Sequence, residues 1–323
     1  MKKNKITMSE IGRMAGVSQA TVSRAINQPH MVKEELREKI QYFIDKYKFV
    51  PDESAKTMRG VGSKILGLIV FSFSNYYYLE MAKYAEKIAR EKGYSLLIMN
   101  SEKNSNLEKE HIKMMIARKV EGILIAPVDE KNLDFLNSLD IAFVAINNDY
   151  PRFNSVYTSL FKGGELVGEY LLELGHKKIG YIGDNRTRYN AKFEGLKNIL
   201  KKANINFKKE WFYNIDSEKI FIDNLNLFSI NQKIECTAFM CSNDEVAYLA
   251  IKKLELLGYK IPNDISIVGF DNTIVANLLN ITSISQPTEL MIENAIDILL
   301  EKDEKIKNIF LIPKIVKRKS TIK

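Results

Sequence analysis

The stretch AGVSQATVSRAIN, from Ala15 to Asn27, predicts two short helices that meet at a sharp turn. Gly16 suits the turn, because a left-handed backbone conformation costs little only for glycine. Ser18 follows as an N-cap residue for the second helix, on which Val22 and Ile26, four positions apart, face inward. The first turn of this helix carries small polar side chains, and an arginine follows. Such a surface suits a helix that enters the major groove of DNA and contacts base edges.

A first helix is predicted just before this turn. Thr7, followed three residues later by Glu10, forms a capping-box pattern that starts a helix near Met8. Ile11 and Ala15 place apolar groups on one of its faces. Many domains that do not bind DNA also contain a corner between two helices. The combination of cap, glycine turn, apolar pair and polar first turn nevertheless favours a DNA-binding helix-turn-helix.

The segment from Ile6 to Asn27 resembles the DNA-binding headpiece of the lactose/galactose repressor (LacI/GalR) family. In that family the first two residues of the second helix and an arginine near its end contact bases, so the resemblance implies this role for Gln19, Ala20 and Arg24. Glutamine can pair with adenine and arginine with guanine, while alanine offers a methyl contact to thymine. The other residues assigned to the DNA-binding surface, as phosphate contacts or as the helix cap, are Thr7, Ser9, Ser18, Thr21, Ser23 and Asn27.

A third helix is predicted from about Lys33 to Tyr47, and it completes a headpiece that spans residues 1–50. Its apolar stripe consists of Leu36, Ile40, Phe43, Ile44 and Tyr47. The family usually has serine at the position of Lys33, so the expected N-cap is absent. Two glutamates in the first turn are expected to compensate through the helix dipole.

Residues 51–62, with the sequence PDESAKTMRGVG, are predicted to be a hinge between the headpiece and the rest of the chain. A helix of about eight residues is too short to be stable alone in water, so a flexible linker is the alternative for the free protein. In the family the matching segment folds on the operator, pairs with its dimer mate and inserts apolar side chains into the minor groove. The resemblance therefore implies Met58 as the inserted side chain and Ala55 as the small residue where the two helices approach.

Positive charge is concentrated in this first part of the chain. Residues 1–62 contain 12 Lys and Arg against 7 Asp and Glu, which accounts for +5 of the net charge of +8. A basic excess on a small domain is typical of proteins that bind the phosphate backbone of DNA.

From Lys64 onward, strand patterns alternate with helix patterns, including a helix near 217–230. The continuous apolar run from Ile65 to Val70 is typical of a parallel strand that is covered on both faces. The alternation predicts an α/β fold in residues 63–323, with two doubly wound parallel lobes. The resemblance implies that these lobes are of the periplasmic-binding-protein type. Since ligands of such sheets bind at the carboxyl ends of strands, the cleft between the lobes is the expected effector site.

Three phrases carry the resemblance into this region, namely LELGHKKIGYIG (172–183), CSNDEVAYLAI (241–251) and PNDISIVGFDN (262–272). They place Asn243, Asp244 and Asp271 at strand ends on the rim of the cleft. His176, in the first phrase, is interpreted as a cap of the preceding helix, and a catalytic role is the alternative.

The resemblance also supplies the candidate effector-binding residues. They are Tyr77, Tyr78, Asn147, Lys192, Asn243 and Asp271. Lys192 stands where the family typically has an arginine, so the planar bidentate group is lost. The two tyrosines are expected to stack on a sugar or a base, and ordinary packing at a helix start is the alternative. Rings, amides and one carboxylate favour a sugar-like effector, either neutral or weakly charged.

The resemblance implies a homodimeric transcriptional repressor that binds a pseudo-palindromic operator in double-stranded DNA and is controlled by a small-molecule effector. A nucleobase-dependent co-repressor mechanism and a phosphoprotein partner are the alternatives. An exported sugar-binding protein disagrees with the basic headpiece and with the missing signal peptide. An enzyme disagrees with the lack of any nucleophile–base arrangement, and the three histidines lie in unrelated segments.

No metal site, cofactor or membrane partner is expected from this sequence. Cys236 and Cys241 are interpreted as reduced thiols in the core, and no apolar run is long enough to cross a membrane. A cytoplasmic location follows as the expectation.

Overall fold

The computed structural model describes residues 6–51, 62–139, 141–184, 190–215, 228, 234–301 and 305–323. It divides into two compact units, Met1–Ser63 and Lys64–Lys323. The hinge residues Ala55 and Met58 lie outside the described residues, as does the helix predicted near 217–230 except for Phe228.

The first unit contains helices α1 (Met8–Ala15), α2 (Gln19–Asn27) and α3 (Glu34–Tyr47), with a 3-10 turn at Pro29–Met31. Their shared core consists of Ile11, Ala15, Val22, Ala25 and Ile40. The helix-turn-helix predicted from the sequence is therefore confirmed as the fold of this unit.

Two details of the predicted core differ in the structure. Ile26 is only partly buried and packs at the margin of the core, whereas its neighbour Ala25 is 8% exposed and lies inside. Tyr47 is 44% exposed, because it lies in the last turn of α3, beyond the reach of the two shorter helices.

The second unit alternates strands and helices along the chain. Its strands are β1 (Ile65–Val70), β2 (Ser95–Asn100), β3 (Gly122–Ile125), β4 (Phe143–Ile146), β5 (Ser155–Thr158), β6 (Ile179–Gly183), β7 (Phe212–Asn214), β8 (Ala238–Cys241), β9 (Ser266–Asp271), β10 (Thr282–Ser285), β11 (Asn308–Leu311) and β12 (Lys314–Val316). Its helices are α4 (Tyr76–Glu91), α5 (Ser105–Ala117), α6 (Glu130–Asn137), α7 (Leu160–Glu173), α8 (Ala191–Lys202), α9 (Asp244–Leu256), α10 (Ile274–Leu278) and α11 (Thr288–Leu300).

The N-terminal lobe is a six-stranded sheet with the order β11-β5-β4-β3-β1-β2, in which every pair is parallel. Strand β1 is buried on both faces, as its apolar run predicts. Leu66 and Leu68 pack under α4 and α11, whereas Ile69 joins the opposite core with Met115 of α5.

The C-terminal lobe is a second six-stranded sheet, with the order β12-β10-β9-β8-β6-β7. Only its edge strand β12 is antiparallel to its neighbour, and the other pairs are parallel. Met240 and Val268 face the core under α7 and α8, whereas Phe239 and Ile267 face the core under α9. The predicted fold, a helical headpiece with two parallel α/β lobes, is confirmed.

The chain crosses between the two lobes three times. It crosses between β5 and α7, between β10 and α11, and between β11 and β12. As a result, α11 packs on the N-terminal lobe, against α4 and strands β3 to β5, although it follows a strand of the other lobe. The carboxyl ends of strands from both sheets consequently face one cleft.

Candidate functional site

The start of α1 has the predicted capping geometry. The Thr7 hydroxyl accepts a hydrogen bond from the Glu10 amide at 3.2 Å, and the Thr7 amide donates to Glu10 Oε2 at 2.7 Å. The Thr7 hydroxyl also donates to Glu10 Oε2 at 2.8 Å, and the amide and hydroxyl of Thr7 together hold the pKa of the Glu10 carboxyl below its usual value. Gly16 then turns the chain with a φ of 73°, a conformation in which a larger side chain is strained.

Helix α2 presents its predicted base-contacting side chains to solvent. Gln19, Ala20 and Arg24 are all exposed, while Val22 on the opposite face is fully buried. Ser18 caps the helix by accepting from the Thr21 amide at 3.1 Å. An exposed N-terminal turn on a helix that is packed along its other face is the geometry that major-groove insertion requires.

The polar residues beside this face hydrogen-bond locally. Ser18 and Thr21 join their hydroxyls at 2.9 Å, and Asn27 Nδ2 donates to the Ser23 carbonyl at 2.8 Å. Thr7, Ser9 and these four residues all lie in α1, α2 or their caps, each exposed or partly exposed. The side chains of Ser18, Thr21, Ser23 and Asn27 are therefore held in defined positions at the surface that carries the candidate base contacts.

A second candidate site occupies the cleft between the lobes, at the carboxyl ends of strands from both sheets. The cavity has a volume of about 90 Å³. It is lined by Phe71, Ser72, Ser74, Asn75, Tyr77, Tyr78, Lys103, Asn147, Asn148, Leu160, Asp184, Lys192, Ser242, Asn243, Glu245, Asp271 and Gln286. All six residues predicted to bind the effector are thus brought together by the fold.

Lys192 and Asp271 form the charged centre of this cavity. Their Nζ and Oδ1 atoms are 3.6 Å apart, and the two side chains are 13% and 4% exposed. Lys192 Nζ also donates to the Ser242 carbonyl at 2.7 Å and lies 3.8 Å from the centroid of the Phe270 ring. Burial lowers the pKa of Lys192, and the charge of Asp271 opposes that change.

Three residues that line the cleft, Lys103, Asn147 and Asp271, have positive φ angles. Asp271, at the end of β9, has a φ of 94°, and Asn147, just after β4, has a φ of 77°. Such values are unfavourable for residues other than glycine and are typical of ligand-binding positions. Asp271 Oδ1 in addition accepts from Gln286 Nε2 at 2.8 Å, which fixes the carboxylate.

The two predicted aromatic residues form a wall of the cavity. Tyr77 and Tyr78 are 2% and 7% exposed, and their rings meet edge to face with centroids 5.3 Å apart. The Tyr77 hydroxyl donates to Asn147 Oδ1 at 3.2 Å, and Asn147 Nδ2 donates to the Tyr78 hydroxyl at 3.3 Å. Burial raises the pKa of Tyr77 well above its usual value. Packing, the alternative weighed from the sequence, therefore accounts for the burial of both rings, and Asn147 links them. Since both rings also line the cavity, their contact with an effector stays a prediction.

Asn243 and Asp244, neighbours in the chain, have different surroundings. Asn243 lines the cavity and caps α9, because its Oδ1 accepts from the Val246 amide at 2.8 Å. Asp244 is fully buried, and the prediction that it lies on the cleft rim is wrong. Its carboxylate accepts from the Thr273 amide at 2.6 Å and from the Ser283 hydroxyl at 2.6 Å. Burial raises the pKa of Asp244 to about 8.

Glu245 is a cleft residue that the sequence analysis missed. It is 3% exposed, and its Oε1 accepts from the Tyr76 amide of the opposite lobe at 2.9 Å. Burial raises the pKa of Glu245 to about 7. A glutamate in the first turn of a helix is ordinary by itself, so only its place after a strand that ends at the cleft could have indicated a role.

His176 lies at the opposite edge of the C-terminal sheet. Its Nδ1 is 2.9 Å from the Thr237 hydroxyl, and its Nε2 is 3.1 Å from the Ser266 hydroxyl. These partners stand where β8 and β9 begin, so the imidazole links two strands. The His176 amide donates to the Leu171 carbonyl at 3.0 Å, so the residue also caps the end of α7, as expected. Burial lowers the pKa of His176, and the ring is remote from the cleft.

The sequence also predicted that the protein has no metal site and no membrane-spanning helix. Within the described part of the chain, no cluster of three or more His, Cys, Asp or Glu side chains has the geometry of a metal site. Among the described residues, no helix combines the length and apolarity that a membrane crossing requires. Cys236 and Cys241 are both buried, and burial raises the pKa of Cys236 to about 12.

Comparison with known proteins gives matches over both units. Residues 7–52 match the model for bacterial regulatory proteins of the lacI family, and residues 169–321 match a periplasmic binding protein-like domain. The HTH-type transcriptional repressor PurR of Mannheimia succiniciproducens is 30% identical, over 98% of this chain and 99% of that protein.

Solved structures match the fold as well. The Lac repressor dimer bound to operator and the anti-inducer ONPF has a TM-score of 0.85 and 24% identity, over 99% of this chain and 100% of that chain. A LacI family transcriptional regulator from Enterococcus faecium with bound ribose has a TM-score of 0.68 and 23% identity, over 80% of this chain and 98% of that chain.

Proposed function

The chain belongs to the LacI family of bacterial regulatory proteins, and we propose that it represses transcription as a homodimer under the control of a small molecule. It is a sequence-specific DNA-binding transcriptional regulator and not an enzyme. The observation that carries the proposal is the exposed face of α2, which presents Gln19, Ala20 and Arg24 on a helix that is packed along its other side. We assign the protein to the cytoplasm, where the DNA of a bacterium is located.

Base contacts are proposed for Gln19, Ala20 and Arg24, and phosphate contacts for the polar residues beside them. One headpiece covers only half of a typical operator, so two copies related by a two-fold axis require a pseudo-palindromic site. The matched Lac repressor structure is a dimer bound to operator, which supports a homodimer here.

The effector is proposed to bind in the cleft, on the six residues predicted from the sequence. A hydroxyl-rich, sugar-like molecule fits a cavity that combines the Asp271 carboxylate, the Lys192 ammonium group and several amides. The matched Enterococcus faecium regulator, which contains ribose, supports this choice. Effector binding is proposed to shift the lobes between two arrangements and thereby to change the affinity of the headpieces for DNA.

A nucleobase is the second candidate effector. Three carboxamides, those of Asn147, Asn243 and Gln286, line the same cavity. A carboxamide can donate and accept in one plane and so pair with the edge of a base. Thermal-shift measurements with sugars and nucleobases distinguish the two candidates, since only the bound class raises the melting temperature.

A mobility-shift assay on genomic fragments tests the DNA-binding assignment. We expect one fragment to bind more tightly than bulk DNA at physiological salt. Gln19→Ala is expected to lose ~1–3 kcal/mol of discrimination at a single base position, whereas Gln41→Ala, at an exposed position of α3, serves as the control. Equal weakening on all sequences would instead identify Gln19 as a phosphate contact.

A further inference from the structure

Two buried polar atoms on the wall of the cleft have unused hydrogen-bonding capacity. Ser242 Oγ and Glu245 Oε2 have no hydrogen-bond partner within the described part of the chain. Both residues line the cavity and lie three positions apart, Ser242 between β8 and α9 and Glu245 in the first turn of α9. Native proteins rarely leave such atoms unpaired, because each loses its bonds to water without replacement.

The position of the Glu245 carboxylate is set by its other oxygen. Oε1 accepts from the Tyr76 amide at 2.9 Å, and that amide begins α4 of the opposite lobe. A carboxylate at a helix N-terminus is favoured by the helix dipole. With Oε1 held there, Oε2 is left to accept from a group inside the cavity that Glu245 lines.

The neighbouring charges do not provide this group. Lys192 lowers the pKa of Glu245, but it is the weakest of the influences on that carboxyl, and its Nζ is directed to Asp271 and to the Ser242 carbonyl. Among the side chains that line the cavity, the carboxylates are Asp184, Glu245 and Asp271 and the ammonium groups are Lys103 and Lys192. Above pH 7, where Glu245 is ionised, the lining therefore carries an excess of negative charge.

We propose that Glu245 and Ser242 form an additional effector subsite, which accepts a hydroxyl or N–H group and rejects a negatively charged one. The proposal rests on the proposed function, since it concerns the same cleft. A neutral donor completes the bond to Oε2, and the Ser242 hydroxyl can donate to or accept from the same part of the ligand. A phosphate or carboxylate placed there faces an anion in a poorly solvated site, where repulsion is strong.

The same carboxylate connects ligand and lobe closure. Its Oε1 already joins the C-terminal lobe to the first residue of α4. An effector bonded to Oε2 therefore contacts the side chain that bridges the cleft, and it stabilises the arrangement in which the lobes are joined.

Calorimetric titration of the full chain at pH 8, where Glu245 is ionised, with matched neutral and anionic probes tests the subsite. The probes are D-ribose with D-ribose 5-phosphate, D-galactose with D-galactose 6-phosphate, and adenosine with AMP. We expect a neutral probe to bind and its phosphorylated partner to bind at least ~10-fold more weakly. Glu245→Gln is expected to weaken binding of the neutral probe ~10-fold or more. It is also expected to reduce the difference in affinity between the neutral probe and its phosphorylated partner. Tighter binding of the phosphorylated partner, or unchanged affinity in Glu245→Gln, would overturn the proposal.

Glu255→Gln is the matched control, because Glu255 lies on the same helix, is exposed and pairs with Lys252 at 2.8 Å. It should bind every probe as the wild type does. Ser242→Ala should weaken binding of the neutral probe less than Glu245→Gln does, because it removes a neutral hydrogen-bonding partner instead of a charged one.

A measurement without ligand keeps the proposal testable if no probe binds. An unpaired buried carboxylate costs stability when it is ionised, so Glu245→Gln should melt at a higher temperature than the wild type at pH 8. A melting temperature several degrees lower than that of Glu255→Gln would mean that the protein itself satisfies Oε2, and the subsite would be refuted. If no probe binds but the protein still retards operator DNA in the mobility-shift assay, only the proposed effector classes are contradicted. If the protein does not retard operator DNA, the assignment as a regulator is contradicted.

Discussion

Replacing Glu245 by glutamine is expected to stabilise the C-terminal lobe by an amount that grows with pH. Burial raises the pKa of this carboxyl from 4.5 to about 7 in the folded protein. A group with a raised pKa binds its proton more tightly when folded, so its stabilising contribution is complete below pH 4.5 and is lost as the pH rises through 7. The glutamine variant lacks this loss, because it does not ionise.

The size of the effect follows from the two pKa values. Their difference is equivalent to ~3 kcal/mol in the free energy of unfolding. The stability of Glu245→Gln relative to the wild type should therefore be near its minimum at pH 4.5, should rise between pH 5 and 7, and should level off above pH 7. Asp244 also has a raised pKa, to which the charge of Glu245 contributes, so Glu245→Gln lowers the pKa of Asp244 and shifts the difference in stability in the same direction.

Urea unfolding at pH 5, 6, 7 and 8 measures this difference. The single tryptophan of the chain, Trp211, is 6% exposed and packs in the core of the C-terminal lobe. Its fluorescence therefore reports the lobe that contains Glu245. The link between burial and ionisation would be refuted if the difference in free energy of unfolding between Glu245→Gln and the wild type were constant from pH 5 to 8. It would also be refuted if the variant became less stable relative to the wild type as the pH rises. Glu255→Gln should give curves that are parallel to those of the wild type.

Two further predictions concern the framework of the cleft. Asp244→Ala leaves the buried donors of Thr273 and Ser283 without their acceptor, so it should cost at least ~3 kcal/mol in the fluorescence assay, and Asp244→Asn should cost less. In Gly164→Ala the added methyl group overlaps the carbonyl oxygen of Lys192 on the facing helix. This variant should lose ~1–3 kcal/mol of stability and also bind effector more weakly, whereas unchanged stability would contradict the close contact of α7 and α8.

Features of the headpiece could be predicted because their signals are local. The capping pair Thr7 and Glu10, the turn at Gly16 and the cap at Ser18 act within four residues, and the structure has α1 and α2 where these residues place them. The burial of Ala25 instead of Ile26 was missed, because periodicity defines the buried face of a short helix only to within about one position.

The arrangement of the cleft could not be predicted from local patterns, because it is built from contacts between residues that lie far apart in the sequence. Tyr77 meets Asn147, which is 70 residues away, and Glu245 meets Tyr76, which is 169 residues away. The family phrases place Asn243 and Asp244 side by side. Successive positions at a helix start nevertheless point in different directions, so one side chain lines the cavity and the other is buried under β10.

Local sequence patterns were enough to predict the helix-turn-helix, its exposed candidate contacts and the two sheets, since caps, turns and hydrophobic periodicity act over a few residues. Tertiary structure decided which lobe each later element joins and which carboxylates meet in the cleft. Three crossings between the lobes bring strand ends from distant segments to one cavity. Burial there, not residue type, distinguishes Glu245 from the many glutamates that lie in solvent.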